Sequence, residues 1–360
     1  MIRRSNLRVR TTGPADCCHR GSAGLSPCES LMAKTPGSGE SLSFPMAPIQ
    51  KLVSRMPMIF AFMLLALLCV PATSFPADAS GFVIVDIDDA SLARFGRWPW
   101  PRDLQARLLR ATEKFSPKAV VVDLLLSESD VQFPEKDREL ADSIGASGNV
   151  FLAFAFQFER QGVTPELERL TLLQRNALAK GRESIDELRE ANGLLFPVPL
   201  FARKAAGLGF VNVFPESRGS GAGPGLVRRG TLVVSYRGEV YPSLPLALVS
   251  WLKKLTLSKV IVHPGDRIET EDVNIPVDSA GDIPLSFTAP GSRFPRVSAE
   301  RVLGGEDLSA PLQGAIVIIG VNATGLSDYH PTPVSSYHPG TELLATAIDA
   351  LLSKWPSRAR

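Results

Sequence analysis

Three short, almost uninterrupted apolar runs punctuate the chain beyond residue 80: Phe82–Val85, Ala119–Leu125 (broken only by Asp123) and Ala315–Gly320. Each is rich in β-branched residues and too short for a helix, which predicts central strands covered on both faces. Val150–Phe158 reads as another strand. Helical patterns lie between them: Leu104, Leu108 and Leu109 behind Pro101, then Lys136–Ile144. Strand and helix alternating at this spacing imply right-handed βαβ crossovers. The expected fold class is therefore α/β, a mostly parallel central sheet flanked by helices. Thr231–Tyr236, Val260–His263, Asp272–Val277 and Ile283–Phe287, divided by Pro and Gly turns, add a smaller further group of strands. Glu342–Leu352 predicts a closing helix.

Other stretches break this rhythm. Over residues 159–190, 13 of 32 positions are charged, with leucines at 167, 170 and 173, which predicts a helical surface insertion with a solvated face. Gly219–Gly225 is glycine-rich but does not follow a strand and open a helix, as a phosphate loop does. Residues 1–45 are rich in Ser, Gly, Pro and Arg without apolar periodicity, and read as a disordered or non-native leader. Residues 46–79 are more orderly. Lys51 and Arg55 precede an uncharged apolar run from Met56, and Ala77-Asp78-Ala79 has the shape of a cleavage site. A cleaved signal peptide and an N-terminal transmembrane anchor both fit, and both place the rest of the chain outside the cytoplasm. The folded domain is expected over 81–352, with 353–360 as a tail.

Composition narrows the function classes. The chain has 44% hydrophobic and 21% charged residues, as a globular domain does, and a net charge of +2 gives no argument for nucleic acid. Its four cysteines, Cys17, Cys18, Cys28 and Cys69, all precede the folded part. A disulfide framework, a cysteine nucleophile and a thiolate metal site are thereby excluded from the domain. His19, His263, His330 and His338 are too scattered to suggest a metal site, and no serine sits in a nucleophile elbow.

The candidate chemistry gathers in Gly81–Arg102. Asp86 and Asp88 fall where the first strand should end, and a stiff corner, Trp98-Pro99-Trp100-Pro101, follows before Arg102. Asp123 ends the second strand. Were those two strands neighbours in a parallel sheet, their acidic ends would meet in the crevice where open α/β folds bind ligands. Asp86, Asp88 and Asp123 are then the metal candidates, through carboxylate oxygens, or the counter-charge for a cationic ligand. The competing reading makes Asp88 or Asp89 a helix cap and Asp123 a turn residue. Trp98 and Trp100 could stack on a ligand or simply pack; Arg102 could pair with an anion or within the fold. Asp86, Asp88, Trp98 and Asp123 are expected in one crevice, with Glu342 of the closing helix as a weaker member.

Several blocks, in order, resemble class-two CHASE-type domains, extracellular sensors of bacterial adenylate cyclases and histidine kinases. They are Gly81–Arg102; Lys118–Asp123 with Leu124–Glu128; Leu208–Val213 with Val227–Arg229 and Tyr241–Leu244; and Gly314–Gly320 with Asp328, Pro333 and Pro339–Glu342. The likeness covers roughly Gly81 to Leu352 and departs at Leu344, where a His is expected. It implies an extracytoplasmic sensory domain that binds an unknown small molecule, needs no cofactor and catalyses nothing itself. It further implies membrane association, a signalling partner in the membrane and a homodimer. An inner-membrane protein with a periplasmic domain, or a periplasmic protein if the leader is cleaved, would satisfy it. Output domains normally follow such sensors; no apolar span follows the closing helix before Arg360, so the expectation is a sensor separated from its output. A stand-alone envelope interaction protein is the alternative, and a metal-dependent periplasmic enzyme the one after it.

Overall fold

The computed structural model describes residues 81–159, 165–216, 225–291 and 293–355. The leader expected over 46–79, nearly all of the glycine-rich stretch at 219–225 and the tail from 356 lie outside them. In chain order, β1 (Phe82–Ile87) leads through α1 (Asp89–Phe95) and α2 (Arg102–Glu113) to β2 (Ala119–Val122). Next come α3 (Pro134–Ser147), β3 (Val150–Gln157), α4 (Leu167–Gln174), β4 (Ala179–Lys180), β5 (Gly193–Leu195), α5 (Pro199–Ala202) and β6 (Gly207–Phe210). A set of short strands follows: β7 (Arg229–Thr231), β8 (Val233–Tyr236), β9 (Glu239–Pro242), then, after α6 (Leu244–Leu252), β10 (Ile261–His263), β11 (Arg267–Glu269), β12 (Asn274–Pro276) and β13 (Asp282–Pro284). The chain then returns to the main sheet with β14 (Arg296–Ser298), α7 (Ala299–Leu303), α8 (Ser309–Leu312) and β15 (Ile316–Val321). It closes with the hairpin β16 (Tyr329–Thr332) and β17 (Ser335–Pro339) and with α9 (Gly340–Leu352).

The fold is α/β. Its main sheet has seven strands in the order β14-β1-β15-β2-β3, with β5 and β6 both joining β3, and every pairing is parallel except that of β5. The three apolar runs, as β1, β15 and β2, occupy its centre, where a strand must be apolar on both faces. Smaller antiparallel groups, among them β12-β11-β10 with β4 beside them, form the additional strands.

Alternation along the central strands sorts the core into two layers. Val83, Val85, Val120, Val122, Val317 and Ile319 face Leu104, Leu108 and Leu109 of α2 and Leu140 and Ile144 of α3. Phe82, Ile84, Val121, Ile316 and Ile318 face the other way, into the cluster that holds Leu246 and Val249 of α6 and Ile348 and Leu351 of α9.

Two expectations change. β1 and β2 are not neighbours, because β15 lies between them and pairs with both. The long connection through α1 and α2 spans two strand positions, and the last strand fills the one left open. Among the described residues of 159–190, helix is confined to Leu167–Gln174; Leu173, Leu178 and Leu188 are buried, and Ala179–Lys180 pairs with β10. The segment is charged on its surface but knitted into both apolar layers rather than set on top of them.

Candidate functional site

The chain leaves β2 and β15, adjacent parallel strands, toward opposite faces of the sheet: α3 follows β2 on one face, and α9 follows β15 on the other. Open α/β sheets bind ligands beyond the carboxyl ends of their strands at such a divergence. A crevice of about 930 Å³ opens there, lined among others by Trp98, Trp100, Arg102, Asp123, Asn322 and Thr341. A smaller cavity of about 100 Å³ adjoins it and shares Asp123, Asp328 and Gly340, with His330 on its own wall.

Three strand-end positions form a row on the α9 side of the sheet. Asp86 on β1 is in register with Gly320 on β15, and Asp123 directly follows β2, its N–H donating to Ile319 O at 2.9 Å. Gly320 has to be small. A Cβ there would lie 2.3 Å from Thr341 Cγ2 and 3.7 Å from Asp123 Cβ, so the missing side chain lets the first turn of α9 settle onto the sheet. Thr341 and Asp123 thus meet across Gly320.

The two carboxylates flanking Gly320 have different surroundings. Asp86 is held bidentately by Arg296 of the edge strand β14, Nε at 2.8 Å and Nη2 at 2.7 Å. The same guanidinium reaches Glu342 Oε2 at 3.3 Å, and both Glu342 oxygens accept the Gly291 N–H at 2.9 Å. Burial pushes both carboxyls above their ordinary range; Arg296 pulls Asp86 back while Asp88 adds to its rise, and the Gly291 N–H and Arg296 pull Glu342 back while Asp86 adds to its rise. This cluster ties β1, β14 and α9 together, and neither acid lines the crevice.

Asp123 does line it, and among the described residues its carboxyl accepts no hydrogen bond. Loss of water pushes it up to about 6; the Asp328 carboxylate adds to the rise and His330 opposes it. His330 Nε2 lies 2.9 Å from Asp328 Oδ2, a contact that holds the Asp328 carboxyl below its usual range despite some burial. Two further polar atoms on the wall are buried without a partner among the described residues, Thr341 Oγ1 and Asn322 Oδ1. Buried polar groups are normally paired, so a cluster of open ones along a cavity marks where a ligand or water belongs.

The other residues singled out in the sequence divide clearly. Asp88 is the N-cap of α1: its Oδ1 accepts Ser91 N at 2.9 Å, Ser91 Oγ at 2.6 Å and Ser298 Oγ at 2.8 Å, and these bonds lower its pKa against the desolvation that would raise it. Trp100 is packed, its Nε1 donating to Gly96 O at 2.9 Å, and it braces the more open Trp98 at 6.2 Å between ring centres. Arg102 is engaged within the fold, by Glu128 O at 2.9 Å and Asp137 Oδ1 at 3.3 Å. Trp98, Trp100, Arg102 and Asp123 therefore share the crevice, while Asp86, Asp88 and Glu342 do not line it. Among the described residues no group of three His, Cys, Asp or Glu is placed to hold a metal ion, so Asp86, Asp88 and Asp123 form no such group. Sequence reasoning missed Arg296, Asn322, His330 and Thr341. Thr341 lies inside the block Pro339–Glu342 that carries the family likeness, yet only the assembled sheet gives these four residues their neighbours.

The CHASE2 domain model matches residues 59–360. The chain belongs to the CHASE2 domain family. CHASE2 is a family of extracellular sensory domains, sensory rather than catalytic. No curated protein and no solved structure matches the chain. In this CHASE2 domain no helix among the described residues is long and apolar enough to cross a membrane.

Proposed function

We propose that this chain is the extracytoplasmic, ligand-binding sensor of a bacterial transmembrane signalling receptor, and that a small molecule occupies the crevice at the ends of β2 and β15. Membership of the CHASE2 family supports the sensory role. The observation that carries the binding site is the set of open polar groups on one wall, the Asp123 carboxyl with Thr341 Oγ1 and Asn322 Oδ1, in a crevice that the partly buried Trp98 also lines. The volume suits an organic solute, since ligand pockets run to about 300–1,000 Å³. α9 supplies the coupling, because its first turn forms part of that wall. A sensor needs two states that its ligand distinguishes, and a helix whose first turn touches the ligand can differ between them. The membrane-bound output, a cyclase or kinase in relatives of this kind, and a homodimeric receptor belong to the same proposal.

Two measurements test it. A reporter active only in the periplasm, fused after Arg360, should be active, and activity of a cytoplasm-only reporter in its place refutes the location. A small-solute screen followed by amide NMR should give saturable shifts at Thr341 and Asn322 with at least one solute. Shifts confined to surfaces away from the crevice would remove the site.

A further inference from the structure

The charge on the crevice wall narrows the class of ligand. Four lining residues are carboxylic, Asp123, Glu128, Asp130 and Asp328, and two are cationic, Arg102 and Lys136. Both cations are held by carboxylates outside the lining, Arg102 by Asp137 at 3.3 Å and Lys136 by Asp103 at 3.2 Å, and Lys136 also sits over the Phe133 ring. Asp130 is spent on the backbone, its Oδ1 accepting the N–H groups of Gln132 and Phe133. Asp328 holds His330. Glu128 is exposed and lends only its backbone oxygen, to Arg102. That leaves Asp123 as the sheltered acid of the wall whose carboxyl meets neither a cation nor a hydrogen-bond donor among the described residues.

One feature of the wall favours an anion, the positive end of α9. It is already answered. Gly340 N–H donates to Asp328 O at 2.8 Å, the Asp328 carboxylate lies against Gly340, and Glu342 occupies the first turn. A bare divalent metal is poorly served too, because such ions take about six or more oxygens at full coordination and no three-residue ligand group exists among the described residues.

Resting on the sensory reading above, we propose that the crevice takes a small organic ammonium ion. Asp123 is its counter-charge, Trp98 covers its charged face, and Thr341 Oγ1 and Asn322 Oδ1 accept its N–H or O–H groups. Each element answers an open feature of the wall: a carboxyl without a partner, a partly buried indole braced by Trp100, and two buried oxygens without donors, Thr341 being 4% exposed as a residue. An indole face attracts a desolvated cation through the quadrupole of its ring, which complements an ion pair and does not substitute for it.

The experiment is calorimetric titration of the purified full chain with choline, ethanolamine and putrescine. 3,3-Dimethyl-1-butanol serves as the uncharged counterpart of choline, glucose as a neutral polyol and phosphate as an anion. The titrations are repeated on Asp123→Asn, which keeps the shape of the side chain, and on Trp98→Ala, with circular dichroism verifying each fold. Saturable binding of at least one ammonium probe is expected, weakened roughly tenfold or more, or about 1.4 kcal/mol, in Asp123→Asn, with no competition from the neutral isostere. An ammonium probe whose affinity ignores Asp123→Asn overturns the assignment. Binding of glucose or phosphate that Trp98→Ala abolishes overturns the ligand class while leaving the sensory crevice standing. Binding of no probe of any class removes both.

Discussion

Asp86 and Asp123 stand on either side of Gly320 in one row of the sheet, yet the Arg296 guanidinium closes on the first at 2.7 Å and no donor among the described residues reaches the second. The difference comes from sheet order. Asp86 lies next to the edge strand β14, which delivers Arg296, whereas Asp123 lies two strands further in, beside the first turn of α9. Two strand-end acids therefore have different surroundings, one gripped by a cation and one lining the crevice without a donor among the described residues.

Replacing Arg296 with Met should test the first of these. It leaves Asp86 and Glu342, both nearly inaccessible, as adjacent carboxylates without their shared cation. Breaking a buried pair from one side removes about 3–5 kcal/mol. Denaturant unfolding should show a loss of that order, and Asp86→Asn in the same chain should recover part of it. A loss below about 0.5 kcal/mol, the ordinary effect of a surface change, would show that the cluster is not structural.

Asp88→Ala removes the α1 cap together with its bonds to Ser91 and Ser298. A lowered unfolding free energy of about 0.5–2 kcal/mol is expected, with unchanged affinity for whatever the crevice binds. A change in affinity without a change in stability would return Asp88 to the site.

Gly320→Ala places a methyl group 2.3 Å from Thr341 Cγ2. Overpacking of this kind lowers stability by about 1–3 kcal/mol, and here it should also displace the first turn of α9. Thermal unfolding together with the Thr341 amide shift reads both effects. An unchanged melting temperature would mean that Thr341 has room to move aside.

pH dependence isolates Asp123. Its folded pKa, about 6, lies above the ordinary 3.8, so the folded state keeps the proton that the unfolded chain releases. Stability then falls as pH rises from about 4 to about 6, and the penalty is complete above that window. Asp328 and His330, the charged groups that act on it, remain in the variant. Asp123→Asn should therefore match the parent near pH 4 and gain on it by pH 7. A pH-independent difference would show that burial does not hold the proton there.

The strands were legible because a central parallel strand must be apolar on both faces, and β1, β2 and β15 are written that way. Trp98 and Asp123 were legible for local reasons, a stiff aromatic corner and an acid at a strand end. Strand order was not. No residue of β15 announces that it will slip between β1 and β2, since order depends on how the intervening helices pack. Arg296 meets Asp86 across 210 positions of sequence, and Thr341 becomes a wall residue only because Gly320 lacks a side chain. The charged stretch 159–190 misled for a related reason: charge density reports the solvated face of a segment and says nothing of Leu173, Leu178 and Leu188 on its hidden side.

α9 begins at the crevice and runs for 13 residues, a rod of about 20 Å at 1.5 Å per residue. Its near end is gripped on both flanks, by Glu342 with Arg296 on one and by Asp328 over Gly340 on the other, and its side chains are buried for most of its length. A rod held this way has little freedom to bend or unwind. What it can do is shift along its axis or turn about it, so a molecule wedged against Thr341 would deliver its message to the far end as displacement, with almost no loss to local flexing.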